Sequence, residues 1–267
     1  MTSPTPVVFI HGLWIHADAW QPWVDLFRTA GYDPVAPPWP GDSADVAQTR
    51  ANTAPLVGNG AAEITRHYSR IIKQLPSQPI VVGHSFGGLV AQKLLAQGDA
   101  QAAVAIDPGQ IKGVKALPLT QLRSGFSVLK NPGNRKRAVG LTAEQFRYNF
   151  GNTLTREESD ELHERWAIPG PGQVPFEIGL SNFTRHSPVE VDTRTSDRGP
   201  LLFIAGGRDH AAPQSVVNGA YKRYAASPAI ADLHVFPDRG HSLVFDHGWR
   251  EVADYVLDWL ARTMPAA

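Results

Sequence analysis

Four short apolar runs set the tightest limit on how this chain folds: Val7-Val-Phe-Ile10, Ile80-Val-Val82, Ala102-Ala-Val-Ala-Ile106 and Leu201-Leu-Phe-Ile-Ala205. None alternates apolar with polar residues, so none offers a face to water. A strand apolar on both faces needs cover on both sides, as in a parallel sheet between layers of helices. A fifth run, Leu233-His-Val-Phe236, is mixed and reads as a strand nearer the sheet edge; Tyr32–Pro37 is a sixth candidate. Helical patterns fall between the runs. Ala19–Ala30 carries Trp20, Trp23, Leu26 and Phe27 at helical spacing and stops at Gly31. Ala61–Leu75 ends at Pro76, Gly87–Gln97 is small and apolar, and Gln214–Ala226 follows Pro213. Trp249, Val252, Val256, Trp259 and Leu260 share one face of a terminal helix. Alternation of this kind implies an α/β architecture with right-handed crossovers.

The segment 109–198 breaks the alternation, with no Val/Ile-rich strand of its own. Two capping-box patterns, Thr142-Ala-Glu-Gln145 and Thr155-Arg-Glu-Glu158, each precede a helical stretch, and Pro169-Gly-Pro-Gly172 ends the second. The expected organisation is a core from residues 1–108 and 199–267, with 109–198 as an inserted helical cap. Arg135-Lys136-Arg137 within it reads as a solvated loop.

Composition narrows the function. The 267 residues are 42% hydrophobic, enough for one sizeable core. Lys plus Arg and Asp plus Glu number 25 each, a balance that argues against a nucleic-acid partner and gives no reason to expect a polybasic membrane footprint. Cysteine is absent, which removes disulfides, thiolate catalysis and Cys-bearing metal sites. No run approaches the length of a membrane span, and Met1–Pro6 lacks the charged and apolar regions of a secretory signal, so a cytoplasmic protein is expected. HExxH, Walker and GxGxxG patterns are missing.

The chemistry-bearing signal is Gly83-His84-Ser85-Phe86-Gly87, placed between the run Ile80–Val82 and the small-residue helix pattern. G-x-S-x-G between strand and helix is a nucleophile elbow. The tight turn strains the serine backbone and leaves no room for flanking side chains, hence the glycines. In return the hydroxyl stands exposed at a helix start, where free N–H groups favour developing negative charge.

With His11-Gly12, Gly207-Arg-Asp-His-Ala-Ala-Pro213 and Gly240-His241-Ser242 in order around this elbow, nearly the whole chain resembles the α/β-hydrolases. The resemblance implies a mostly parallel sheet flanked by helices, and a catalytic order of serine, acid, histidine, here Ser85, Asp209 and His241. Asp209 alone would also read as a helix N-cap. Asp107, in Ile106-Asp107-Pro108, is the alternative acid, since some family members resemble that arrangement. The resemblance further implies an oxyanion hole from the Leu13 and Phe86 N–H groups. Trp14 is a candidate wall of the acyl pocket. His84 reads as a shaper of the elbow and His210 as a packing or solvent-facing residue.

The expected activity is hydrolysis of a carboxylic ester of a small apolar or aromatic molecule through an acyl-enzyme, with no metal or organic cofactor. Phe126, Phe146, Tyr148, Phe150, Trp166, Phe176 and Phe183 of the insertion suggest the apolar substrate. The same residues would serve a lactone, amide, thioester or carbon–carbon bond, or perhydrolysis of the cofactor-free haloperoxidase kind. A hydrolase-derived small-molecule receptor is the alternative from another class. Nothing in the sequence specifies an oligomeric state.

Overall fold

The computed structural model describes residues 3–264. Its strands are β1 (Pro6–Ile10), β2 (Asp33–Val35), β3 (Ile80–His84), β4 (Ala102–Ile106), β5 (Ala138–Val139), β6 (Gly170–Pro171), β7 (Leu201–Gly206) and β8 (Ala231–Phe236). Six of them form a parallel sheet in the order β2-β1-β3-β4-β7-β8. The four unalternating runs occupy its centre, and each of their residues is buried. The mixed run forms the edge strand β8, and β2 lies at the other edge.

The helices are α1 (Gln21–Thr29), α2 (Val46–Ala51), α3 (Ala61–Ile72), α4 (Phe86–Ala96), α5 (Leu119–Leu129), α6 (Ala143–Asn149), α7 (Arg156–Trp166), α8 (Gln173–Gly179), α9 (Gln214–Arg223) and α10 (Trp249–Thr263). Strand side chains alternate between two cores, as the pleat requires. Val7, Phe9, Val82, Val104 and Ile204 join Trp23, Phe27, Val256 and Trp259 of α1 and α10 on one face. Val8, Ile10, Val81, Ala103 and Phe203 join residues of α3, α4 and α9 on the other. The apolar runs are continuous because both faces are buried. No helix among the described residues is long and apolar enough to cross a membrane.

Between β4 and β7 the chain leaves the sheet and forms α5 to α8. Thr142 caps α6 in a full capping box, its hydroxyl accepting from Gln145 N–H while the Gln145 side chain accepts from Thr142 N–H. Thr155 caps α7 through the Glu158 N–H, but the Glu158 carboxylate turns away to accept from His247 instead of closing a box. The antiparallel pair β5–β6 is not legible in the sequence, since two residues per strand carry no periodicity. Backbone and side-chain bonds fasten the insertion to the loop after β1. The Trp14 indole donates to Val139 O at 2.9 Å, and Ile168 N–H donates to Trp14 O at 3.0 Å. Arg50 donates to the carbonyls of His163, Glu164 and Ala167 at the end of α7.

Candidate active site

Each chemistry-bearing residue follows the carboxyl end of a strand: Ser85 after β3, Asp107 after β4, Asp209 after β7 and His241 after β8. Loops at this edge of a parallel sheet are where open α/β folds place their ligands.

The elbow forms as its composition requires. Ser85 takes φ 56° and ψ −124°, outside the regions open to most residues. The turn is held from both sides. Ser85 N–H donates to Ile106 O at 2.9 Å, and Ser85 O accepts from Gly88 N–H at 2.9 Å and Gly109 N–H at 2.8 Å. A Cβ on Gly83 would stand 2.1 Å from Gly87 O, and one on Gly87 2.2 Å from Ile10 O. Both glycines are steric necessities. The described residues other than glycine with positive φ are Trp14, Ser85 and Asp107, and all three lie at this sheet edge. Strained backbone of this kind clusters at active sites and ligand clamps.

The structure brings Ser85, His241 and Asp209 together across 156 and 32 residues of chain. His241 Nε2 lies 2.9 Å from Ser85 Oγ, and Nδ1 lies 2.5 Å from Asp209 Oδ2. Asp209 is not a helix N-cap, since Pro213 holds that position at the start of α9. The Asp209 Oδ1 accepts from the N–H groups of Ala211 and Ala212 at 2.6 and 2.9 Å, as a turn-capping aspartate would, while Oδ2 faces the imidazole. The turn thereby fixes the carboxylate that orients the ring.

Asp107 stands beside this pair. Its Oδ1 accepts from Gly206 N–H at 2.7 Å, and its Oδ2 is buried with no hydrogen-bond partner among the described residues, 4.0 Å from His241 Nδ1. Burial, and then the charge of Asp209, push the Asp107 carboxyl well above the usual carboxylate range. Asp107, Asp209 and His241 offer ligand atoms within 4.8 Å of one another, the one such trio among the described residues. The 2.5 Å between Nδ1 and Oδ2 is a direct hydrogen bond. Two donors on one zinc-like ion, each at about 2.1 Å, would stand farther apart, so the trio as arranged does not fit a metal.

His84 lies within the elbow and is buried against His241. Its Nε2–H donates to the carbonyl of His241 at 2.8 Å, and the two rings lie 4.7 Å apart. Burial holds His84 well below the ordinary imidazole value, which keeps it neutral and a single donor. His210 packs on Tyr148, with ring centroids 4.7 Å apart. His11 bonds Trp39 N–H and pairs with Asp42, and Gly12 passes so close to the elbow that a Cβ there would lie 2.7 Å from that of Ser85.

A cavity of about 150 Å³ opens on Ser85 and His241. Leu13, Trp14, Phe86, Leu129, Phe150 and Val174 give it apolar walls, with Gln110, Gln121 and Ser124 as the polar exceptions. His241 is its one titratable lining residue among those described. The Leu13 and Phe86 N–H groups have no backbone acceptor among the described residues. Of the insertion's aromatic residues, Phe150 alone reaches the cavity, and its ring lies 4.9 Å from that of His241. Phe146 is core, while Phe126 and Phe183 face outward. Gln110 and Gln121 carry no distinguishing signal in the sequence.

The sequence model of the Alpha/beta hydrolase family matches residues 7–255. No curated protein sequence matches the chain significantly. Among solved structures, a candidate non-heme bromoperoxidase, BpoC from Mycobacterium tuberculosis H37Rv, superposes with a TM-score of 0.71 at 19% identity, over 98% of this chain and 94% of that one. The methylesterase MES16 from Arabidopsis gives 0.68 at 16% identity over 97% and 99%. A pyrethroid hydrolase from Sphingobium faniae JZ-2 gives 0.65 at 20% over 97% and 98%. At such identities these likenesses speak for the fold, whereas the family match spans nearly the whole sequence. The chain belongs to the α/β-hydrolase family and is an enzyme of the hydrolase type.

Proposed function

We propose that this hydrolase cleaves carboxylic esters of small, uncharged, apolar molecules through an acyl-enzyme on Ser85. One observation carries the reading: a single imidazole, His241, lies 2.9 Å from Ser85 Oγ on one side and 2.5 Å from Asp209 on the other.

In the first half-reaction Ser85 Oγ attacks the ester carbonyl carbon and His241 Nε2 takes the hydroxyl proton. Asp209 holds the ring with Nε2 toward the serine and stabilises the imidazolium that forms. The carbonyl oxygen gains a full negative charge, which the Leu13 and Phe86 N–H groups would receive; one such donor typically contributes about 2.7–4 kcal/mol to the transition state. The tetrahedral intermediate collapses, the C–O bond to the leaving alkoxide breaks, and His241 returns its proton to that oxygen. In the second half-reaction water gives a proton to His241 and its oxygen attacks the acyl carbon. Collapse then releases the carboxylic acid and returns the proton to Ser85.

The substrate class follows from the cavity. Apolar walls with no carboxylate or cation among the described lining residues disfavour charged substrates, whose desolvation nothing would offset. Its volume of about 150 Å³ is below the about 300–1,000 Å³ of drug-sized sites, which favours short acyl groups. The segment 109–198 supplies more than half of the lining and serves as a cap.

The test is steady-state release of p-nitrophenol from p-nitrophenyl acetate, butyrate and octanoate. Turnover over many cycles is expected, fastest with the shorter chains. Ser85→Ala should abolish it without lowering the melting temperature. Turnover that survives Ser85→Ala would overturn the reading, as would a single burst with no further cycles.

A further inference from the structure

The chain-wide charge balance conceals a segregated surface. Between Asp107 and Glu144 there are seven Lys and Arg and no Asp or Glu; with 25 of each sign in all, this leaves the rest of the chain at −7. The same stretch turns large apolar side chains to water. Leu117, Leu119, Leu122 and Phe126 are 61%, 83%, 49% and 63% exposed, and across from them stand Leu180 and Phe183, the latter 83% exposed.

Contacts between the two segments hold them side by side. Leu119, Leu122 and Phe126 recur on α5 at i, i+3 and i+7, a single stripe. Asn182 joins the second group to the first: its Oδ1 accepts from Gly113 N–H at 2.7 Å and its Nδ2 donates to Val114 O at 2.8 Å. Gly179, at the end of α8, passes close to Leu129 of α5. Cations fringe the stripe. Lys115 stands two residues before Leu117, Lys130 caps the C-terminus of α5, Arg185 stands two residues after Phe183, and Arg123 on α5 lies with its guanidinium 4.2 Å from the Tyr148 ring centroid. Lys115, Arg123, Lys130 and Arg185 are exposed, and none forms an ion pair with a described residue. Lys112 is paired, with Glu190.

We propose that this face docks on an anionic phospholipid bilayer. An apolar stripe of Leu and Phe bordered by Lys and Arg is the composition of a segment that lies in the plane of a bilayer: apolar tips enter the acyl boundary and cations reach the headgroups. A dimer contact across the same face would set these cations against their own copies, which disfavours self-association. Leu117 and Leu122 belong to both the exposed stripe and the cavity lining, so the mouth of the cavity opens within the docked face. On the ester-hydrolase reading, and only there, the substrates are apolar esters dissolved in the bilayer.

The experiment is flotation of the Ser85→Ala protein with vesicles, so that binding is read without hydrolysis. Vesicles of phosphatidylcholine with 30% phosphatidylglycerol should carry the protein up the gradient, and pure phosphatidylcholine should do so at least tenfold less well. Raising the salt to about 0.5 M should weaken the binding, since cation and headgroup are then screened from each other. Leu119→Ser/Phe126→Ser/Phe183→Ser should lose at least tenfold in partitioning, and Lys115→Gln/Lys130→Gln about tenfold. In the Ser85 background both sets should keep p-nitrophenyl butyrate turnover and melting temperature. No flotation of the parent protein overturns the proposal. So does flotation indifferent to lipid charge and to both sets of substitutions, or a dimer that the serine substitutions dissociate while vesicles are ignored.

Discussion

Asp107 holds a buried carboxyl oxygen 4.0 Å from Nδ1 of His241, and that oxygen has no hydrogen-bond partner among the described residues. The site thus contains two acids at one imidazole edge, of which Asp209 makes the hydrogen bond and Asp107 does not. The Gly206 N–H fixes Asp107 by its other oxygen and keeps the pair from exchanging places.

That division of labour separates two substitutions. Asp209→Asn should lower kcat by two to four orders of magnitude, because an amide at Oδ2 can present an N–H to Nδ1 and select the wrong tautomer. Asp107→Asn should leave kcat within about threefold, since Asp107 stands 4.0 Å from Nδ1 and makes no hydrogen bond to the imidazole. Steady-state rates for the two variants check this. Loss in the Asp107 variant with retention in the Asp209 variant would reverse the assignment of the acid.

A pH dependence of stability follows from the same residue. The folded protein keeps the Asp107 proton above the ordinary carboxylate value of 3.8, where the unfolded chain releases it. The folded state then binds more protons, so this group's contribution to stability is complete below 3.8 and is lost as pH rises toward the raised folded value. Asp107→Asn removes the dependence. The melting temperature of the variant relative to the parent should climb as pH rises above the ordinary carboxylate range. A relative fall with rising pH would contradict the burial effect.

Gly12, next to the proposed oxyanion donor Leu13, tests how closely the loop after β1 fits the elbow. A Cβ there meets the Cβ of Ser85 at 2.7 Å and the His84 carbonyl at 3.2 Å, so either the loop after β1 or the serine must shift. Gly12→Ala should lower kcat about 100-fold, the cost of roughly an ångström of misplacement. The stability cost should be that of local overpacking, about 1–3 kcal/mol. Stopped-flow rates beside a denaturation curve separate the two. An unchanged rate would show that the loop does not press on the nucleophile.

Phe150 bridges core and cavity, 1% exposed and stacked on Phe146 with centroids 4.8 Å apart. Phe150→Ala should cost about 3–5 kcal/mol of stability. It should also shift the optimum acyl chain upward by several carbons, because the ring's volume passes to the cavity. A chain-length profile of p-nitrophenyl esters measures the shift, and an unaltered optimum would place the acyl group elsewhere.

Much of the fold is legible in the order of residues alone. The central strands announce themselves because burial on both faces leaves no polar residue in Val7–Ile10 or Leu201–Ala205. Gly83 and Gly87 mark the elbow because backbone atoms occupy the space of their side chains. The rest is hidden for physical reasons. β5 and β6 are too short to show a period, and α5 and α8 lack the capping-box sequence pattern that precedes α6 and α7. Which aromatic residue of the insertion meets His241 depends on packing between helices, so spacing does not tell Phe150 from Phe146. Between Asp107 and Asp209 the motif order favours the second, but only the turn bonds to Ala211 and Ala212 explain why its carboxylate faces the ring.

The central claim is that Ser85 becomes a nucleophile through His241. Mass spectrometry of the protein after treatment with a fluorophosphonate tests it most directly. One adduct is expected, on the peptide that contains Ser85, formed at least 100-fold more slowly in the His241→Ala variant. An adduct on another serine, or labelling of Ser85 at an undiminished rate without the imidazole, would contradict it.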